Sequence, residues 1–223
     1  MKMSNTILIL GESGTGKSTS IRTLVPSETF ILNVIDKPLP FKGGRKQYVK
    51  LEKGNNGNYF ASDDHTTIIK LINYINNSRL EINTLIIDDF QYTMSNSFMR
   101  TALVKGYEKF SEIGKNAWEI IRALIQTRDN LTCYVLTHSE IDSEGKAKVK
   151  TIGKMLDDKI CVEGMFSIVL HSLIIDGKYK FLTQHDTIHL AKSPMGMFED
   201  KLIDNDLLQV NNKIKIYLNE DVA

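Results

Sequence analysis

The run Gly11-Glu12-Ser13-Gly14-Thr15-Gly16-Lys17-Ser18 places glycines, a lysine and a hydroxyl at the spacing G-x-x-x-x-G-K-[ST]. Glycines let successive backbone N–H groups turn inward around a phosphate, and a helix opening near Lys17 adds its positive N-terminal end. The spacing assigns Lys17 to the β- and γ-phosphates and the Ser18 hydroxyl to a Mg²⁺ ion, with the backbone from Gly11 through Thr19 as the cradle. Average residue usage makes a chance match in a chain of this length an event on the order of one per cent. A second element belongs with the first: Leu85-Ile86-Ile87-Asp88 reads as an apolar strand that delivers Asp88 to the Mg²⁺ shell. The guanine-reading pattern Asn-Lys-x-Asp is absent, which favours ATP over GTP.

Hydrolysis further needs a group that positions the attacking water. Asp89, next to Asp88, and Asp36, at the end of the second strand, are candidates, with Glu140 behind them. Both aspartates are one methylene shorter than a glutamate, so slow turnover, or none, is expected. His138, just past the fourth strand, stands where a polar side chain would report on the γ-phosphate. The other histidines (His65, His171, His185, His189) show no ligand spacing.

Positioning these groups requires buried strands with helices between them. Near-continuous apolar runs mark strands at Ile7–Leu10, Thr29–Ile35, Thr84–Asp89 and Leu131–Thr137. Helical periodicity marks Lys17–Leu24, a segment carrying Ile68, Ile69, Ile72 and Ile75 capped by Asp63 or Asp64, and the stretches Met94–Tyr107 and Ser111–Arg128, with Trp118 on a core-facing side. Lys37–Gly57 is an irregular excursion with a short strand expected at Tyr48–Leu51. After a hairpin around Ser143-Glu144-Gly145, strands are expected at Phe166–Ile175, Lys178–Gln184 and Thr187–Leu190, then a helix near Asn212–Leu218. The expected fold is α/β: a mostly parallel sheet flanked by helices, with a β-rich C-terminal third, in one domain spanning residues 1–223.

Composition bounds the function. Charged residues are 25% of the 223 and lysine plus arginine number 28 against 27 acidic residues, so a uniformly basic nucleic-acid coat is excluded. Cys133 and Cys161 lie far apart with no C-x-x-C partner, against a zinc site or a disulfide framework; both are expected as small core side chains. No apolar run reaches the roughly 20 residues of a membrane span, and a cytoplasmic location without processing is expected.

With these pieces in place, the chain resembles the RecA-like phage ATPases, a P-loop AAA-type group of which one branch acts in single-strand annealing and recombination. The resemblance rests on Gly11–Ser18, Asp36-Lys37-Pro38-Leu39-Pro40-Phe41, Leu85–Phe90 and Thr137-His138-Ser139-Glu140. It extends to 151–156, 163–166, 191–194 and 197–199. It implies a RecA-like P-loop NTPase core, ATP and Mg²⁺, assembly into rings or filaments, contact with single-stranded DNA, and residence in the cytoplasm of an infected bacterial cell. Ring-forming ATPases place a glutamate at the position of Asp89, and recombinase-type ATPases at that of Asp36. In recombinase-like filaments a basic residue of the next subunit reaches the nucleotide, and Lys192 matches it by position. A single-strand DNA-binding protein is a further expected partner.

Two regions could meet DNA. One holds Arg100, Lys105, Lys109 and Lys115 with Phe98, Tyr107 and Phe110 interleaved; the other holds Lys146, Lys148, Lys150 and Lys154. Three functions follow in order: a slow, DNA-stimulated ATPase of recombination or annealing; a nucleotide-gated binding module that scarcely hydrolyses; and a small-molecule kinase. Against the last, Arg45, Arg79, Arg100, Arg122 and Arg128 are scattered rather than gathered into a lid.

Overall fold

The computed structural model describes residues 6–152 and 160–220. Nine strands are found among them: β1 (Thr6–Gly11), β2 (Thr29–Asn33), β3 (Tyr59–Ala61), β4 (Thr84–Asp88), β5 (Thr132–Ile141), β6 (Ala147–Val149), β7 (Ile168–Ile175), β8 (Lys178–Leu182) and β9 (Leu202–Asp204). They order as β3-β2-β4-β5-β1-β7-β8-β9, with β6 paired to β5. Pairings from β3 across to β7 are parallel; β7–β8, β8–β9 and β5–β6 are antiparallel. Helices are α1 (Gly44–Gln47), α2 (His65–Ser78), α3 (Gln91–Arg100), α4 (Glu108–Ile125) and α5 (Leu207–Glu220). The fold is mixed α/β, a mostly parallel sheet flanked by helices.

The central strands are apolar on both faces because both are covered. Leu8, Leu10, Leu85, Ile87 and Val135 pack with Ile68, Ile72, Ile120 and Leu124 of α2 and α4. The alternate residues Ile7, Ile9, Ile86 and Leu136 pack with Leu207, Val210 and Ile214 of α5. Asp64 caps α2, accepting from Thr67 N at 2.8 Å. Catalytic-type residues thus emerge at the carboxyl ends of β1, β4 and β5, where ligands sit in open α/β sheets.

Several expected elements are corrected. The segment after the phosphate loop is a 3₁₀ helix over Ser18–Thr23, not an α-helix from Lys17 to Leu24. Ser20 Oγ donates to Lys17 O at 2.5 Å and Thr23 Oγ1 to Ser20 O at 3.3 Å, side-chain bonds that compete with regular helix. The helix expected over Met94–Tyr107 runs instead over Gln91–Arg100, with Gly106 at φ +104° in the turn before α4. Tyr48–Leu51 contributes one bridge, Lys50 to Tyr59, rather than a strand. Thr187–Leu190 is a loop, because the Asp186 carboxylate captures Ile188 N at 2.8 Å and His189 N at 2.6 Å. The third strand of this region is β9, and the last helix is longer than Asn212–Leu218. Cys133 is buried as expected, whereas Cys161 is exposed. Trp118 is only half-buried, with the Arg122 guanidinium 5.0 Å from its ring centroid.

Candidate functional site

Parallel register brings the chemistry together. Gly11 lies opposite His138 across β1 and β5, and Asn33 opposite Asp88 across β2 and β4. The loop between β1 and the 3₁₀ helix is tied down from beneath: Ser172 Oγ on β7 donates to Thr15 O at 2.7 Å, and Thr15 Oγ1 donates to Glu12 O at 2.9 Å. A Cβ on Gly11 would sit 2.7 Å from Ser172 O, so nothing larger fits there. At Gly16, φ +98° demands glycine, and a Cβ would also strike the Tyr179 ring at 2.7 Å. Tyr179 of β8 therefore lies against the phosphate loop.

Lys17 is buried and its Nζ donates to Gly11 O at 2.8 Å and Glu12 O at 2.7 Å, inside its own loop. Burial pulls its ammonium down to about 8, against the pull of Asp89 and Asp88. Ser18 Oγ donates to Asp88 Oδ1 at 2.8 Å, joining the two residues expected to share a metal. Asp88 is 1% exposed and its Oδ2 is buried with no hydrogen-bond partner. Burial first, and the Asp89 charge second, push Asp88 up to about 6. An oxygen donor pair, one member an orphaned buried carboxylate, is what a hard divalent cation satisfies. These residues fit Mg²⁺.

Asp89 takes a different position. Its backbone is left-handed at φ 64°. Lys37 forms an ion pair with it, and His138 Nε2 lies 3.6 Å from its Oδ1. Burial pushes Asp89 up, but His138 and Lys37 outweigh it and hold the carboxyl below its usual range. Gln91 Oε1 accepts from Thr137 Oγ1 and from His138 N, each at 3.3 Å, locking the end of β5. Together Gly14, Gly16, Lys17, Lys37, Asp89 and His138 border a cleft of about 190 Å³, with Tyr179 at its wall.

Residues 3–195 match the family model described as an AAA domain. The chain belongs to that family. No curated protein matches it. Membership makes the chain a nucleotide-binding P-loop ATPase, and the loop, Asp88 and the parallel sheet of this AAA domain are in keeping with that. Among the described residues no helix is long and apolar enough to cross a membrane.

Other residues singled out from the sequence lie apart from this cleft of the AAA domain. Asp36, also left-handed at φ 53°, accepts from Lys50 Nζ at 2.8 Å and Tyr59 OH at 3.0 Å and borders a separate cavity. Lys192 pairs backbone to backbone with Val169, partway along β7. Glu140 pairs with Lys148 at 3.2 Å on the β5–β6 hairpin. In the first basic region, Arg100 is bonded to Asp63, Lys115 to Glu119, and Lys109 donates to the carbonyls of Thr101, Ala102 and Val104. In the second, Lys146 pairs with Glu144, and Lys154 lies outside the described residues. Sequence reasoning passed over Lys37, Gln91, Ser172 and Tyr179. Lys37 was within reach, adjoining Asp36 in the quoted motif; the other three carry no spacing signal.

Proposed function

We propose that the chain is a Mg²⁺-dependent, RecA-like ATPase that assembles as a ring or filament on single-stranded DNA, in phage recombination or annealing. The observation carrying the nucleotide chemistry is the Lys17–Ser18–Asp88 constellation with its orphaned Asp88 Oδ2. Ser18 and Asp88 would hold the Mg²⁺, which when bound neutralises phosphate charge. Lys17, now bonded to the carbonyls of Gly11 and Glu12, would turn its ammonium to the phosphates, and the loop N–H groups would cradle them. Asp89 and His138 stand at the cleft's far wall, where they would position water or read the γ-phosphate.

Coupling to DNA is supported by connectivity. The β5–β6 hairpin grows directly from His138, whose carbonyl accepts from Lys150 N at 2.9 Å. A change at the cleft would therefore move a lysine-bearing loop. With cations and carboxylates balanced along that hairpin, several subunits would have to add their contacts for tight binding. Lys192 would act on a neighbouring subunit's nucleotide, and a single-strand DNA-binding protein would be the companion in the cytoplasm.

A second reading, a nucleotide-gated module with little hydrolysis, is favoured by one observation: Asp89 is engaged by Lys37 and held ionised, which makes it a weak base. ATP hydrolysis with and without single-stranded DNA, on the native chain and Lys17→Ala, separates them. The motor requires a DNA-stimulated rate that the mutant lacks. Nucleotide binding without stimulation would favour the gated module or a partner other than DNA.

A further inference from the structure

The excursion between β2 and β3 is irregular in sequence yet rigidly built. Asn58 accepts from Val49 N at 2.8 Å and donates to Pro26 O at 2.8 Å and Gln47 O at 3.1 Å. Asn55 bridges Glu52 N, Gly57 N and Lys50 O within 3.0 Å, and Arg79 reaches over to Gly57 O at 3.0 Å. A Cβ on Gly57 would fall 2.4 Å from Lys50 O, so the two passes of chain touch. The same excursion borders a cavity of about 380 Å³, which shares Val49 and Lys50 with this bonded network and has twice the volume of the phosphate cleft, within the range of small-ligand pockets.

Its walls are of two kinds. Leu39, Tyr48, Val49 and Tyr59 supply an apolar and aromatic surface. Three cations, Lys37, Arg45 and Lys50, stand against the single carboxylate of Asp36. Lys50 is used by Asp36 and Lys37 by Asp89. Arg45 is exposed and has no ion pair among the described residues. An unpaired guanidinium at the rim of an apolar pocket selects a planar or tetrahedral anion attached to an apolar body. Asp36, half-exposed and held in place by Lys50 and Tyr59, keeps acceptor capacity on its carboxylate for an N–H of a heterocyclic base.

We propose that this cavity is a second binding site, taking one nucleoside monophosphate unit with its base against the tyrosine-lined wall and its phosphate on Arg45. The unit is either a free mononucleotide or one residue of a single strand. Lys37 borders both cavities, so occupancy here would be felt at Asp89.

The test is calorimetric titration in the Lys17→Ala background, which silences the phosphate loop and so makes the result independent of the ATPase reading. Probes are each of the four deoxynucleoside 5′-monophosphates, thymidine without phosphate, and a short oligothymidylate. Saturable binding of a monophosphate, weakened about tenfold by removing its phosphate and about tenfold by Arg45→Ala, is the expected result. Arg45→Lys should restore part of the loss, since it keeps charge but not the fork. If the oligonucleotide binds and the monophosphate competes with it, the source is a single strand; if only the monophosphate binds, the source is free nucleotide. Absence of binding by every probe at millimolar concentration, or binding that Arg45→Ala leaves unchanged, overturns the assignment.

Discussion

The ends of β2 and β4 lie side by side in the sheet, and each is followed by an aspartate in left-handed backbone, Asp36 at φ 53° and Asp89 at φ 64°. Each aspartate is engaged by a lysine. There the likeness stops. The Asp89 side chain is 2% exposed and opens on the phosphate cleft; that of Asp36 is 47% exposed and opens on the neighbouring cavity. Between the two sits Lys37, reversing direction immediately after Asp36. Asp36 stands three residues beyond β2, whereas Asp89 follows β4 directly, and the two carboxylates border separate cavities. Left-handed strain costs about 1–3 kcal/mol and persists where the surroundings enforce it.

The largest expected effect tests the β4 end alone. Asp88→Asn removes the charge offered to Mg²⁺, so Mg²⁺-dependent ATP affinity, read by calorimetry, should fall roughly a hundredfold, about 3 kcal/mol. Next comes the direct contrast. Asp89→Asn should lower turnover roughly a hundredfold with nucleotide affinity held within about threefold, whereas Asp36→Asn should lower turnover less than about threefold. The opposite pattern would reassign the water-positioning role to the β2 end.

Acid sets the lower limit for any such comparison. His171, behind the phosphate loop on β7, is pulled down to about 4 by burial and by His189. The unfolded chain, with an ordinary histidine near 6.5, binds its proton first. Stability should therefore fall as pH drops from about 6.5 to 4, by up to about 3 kcal/mol, and His171→Gln should flatten that part of a pH-dependent denaturation profile. The smallest effects concern strain itself. Asp89→Gly relieves a left-handed residue but strips Lys37 of its partner and should cost about 1–2 kcal/mol in chemical denaturation. Asp36→Gly loses a surface ion pair and the hydrogen bond from Tyr59 OH, offset in part by the relieved backbone, and should cost no more than about 1 kcal/mol.

The parts of the site written in contiguous residues were legible in the sequence. The phosphate loop declares itself through glycine spacing, and β1, β4 and β5 through apolar runs, because local propensity and burial agree there. What escaped depends on where side chains end up after the sheet forms. Lys37 reads as a surface lysine until Asp36 turns left-handed and sends it to Asp89. Tyr179 meets Gly16 across more than 150 residues, a contact that no periodicity encodes. The loop at Thr187–Leu190 reads as a strand because its apolar residues alternate, but Asp186 offers the backbone a better set of bonds.

The phosphate loop is braced by chain that lies past the matched span of the family. Arg22 reaches Asn205 Oδ1 at 3.2 Å, Asn205 reaches Ser172 Oγ at 3.4 Å, and Ser172 holds Thr15. Asn211 on α5 ties Tyr134 of β5 to Thr84 of β4. Anyone trimming the gene to the family boundary at residue 195 would thus remove the props of the loop along with one cover of the sheet. A piece that keeps these braces has to retain α5.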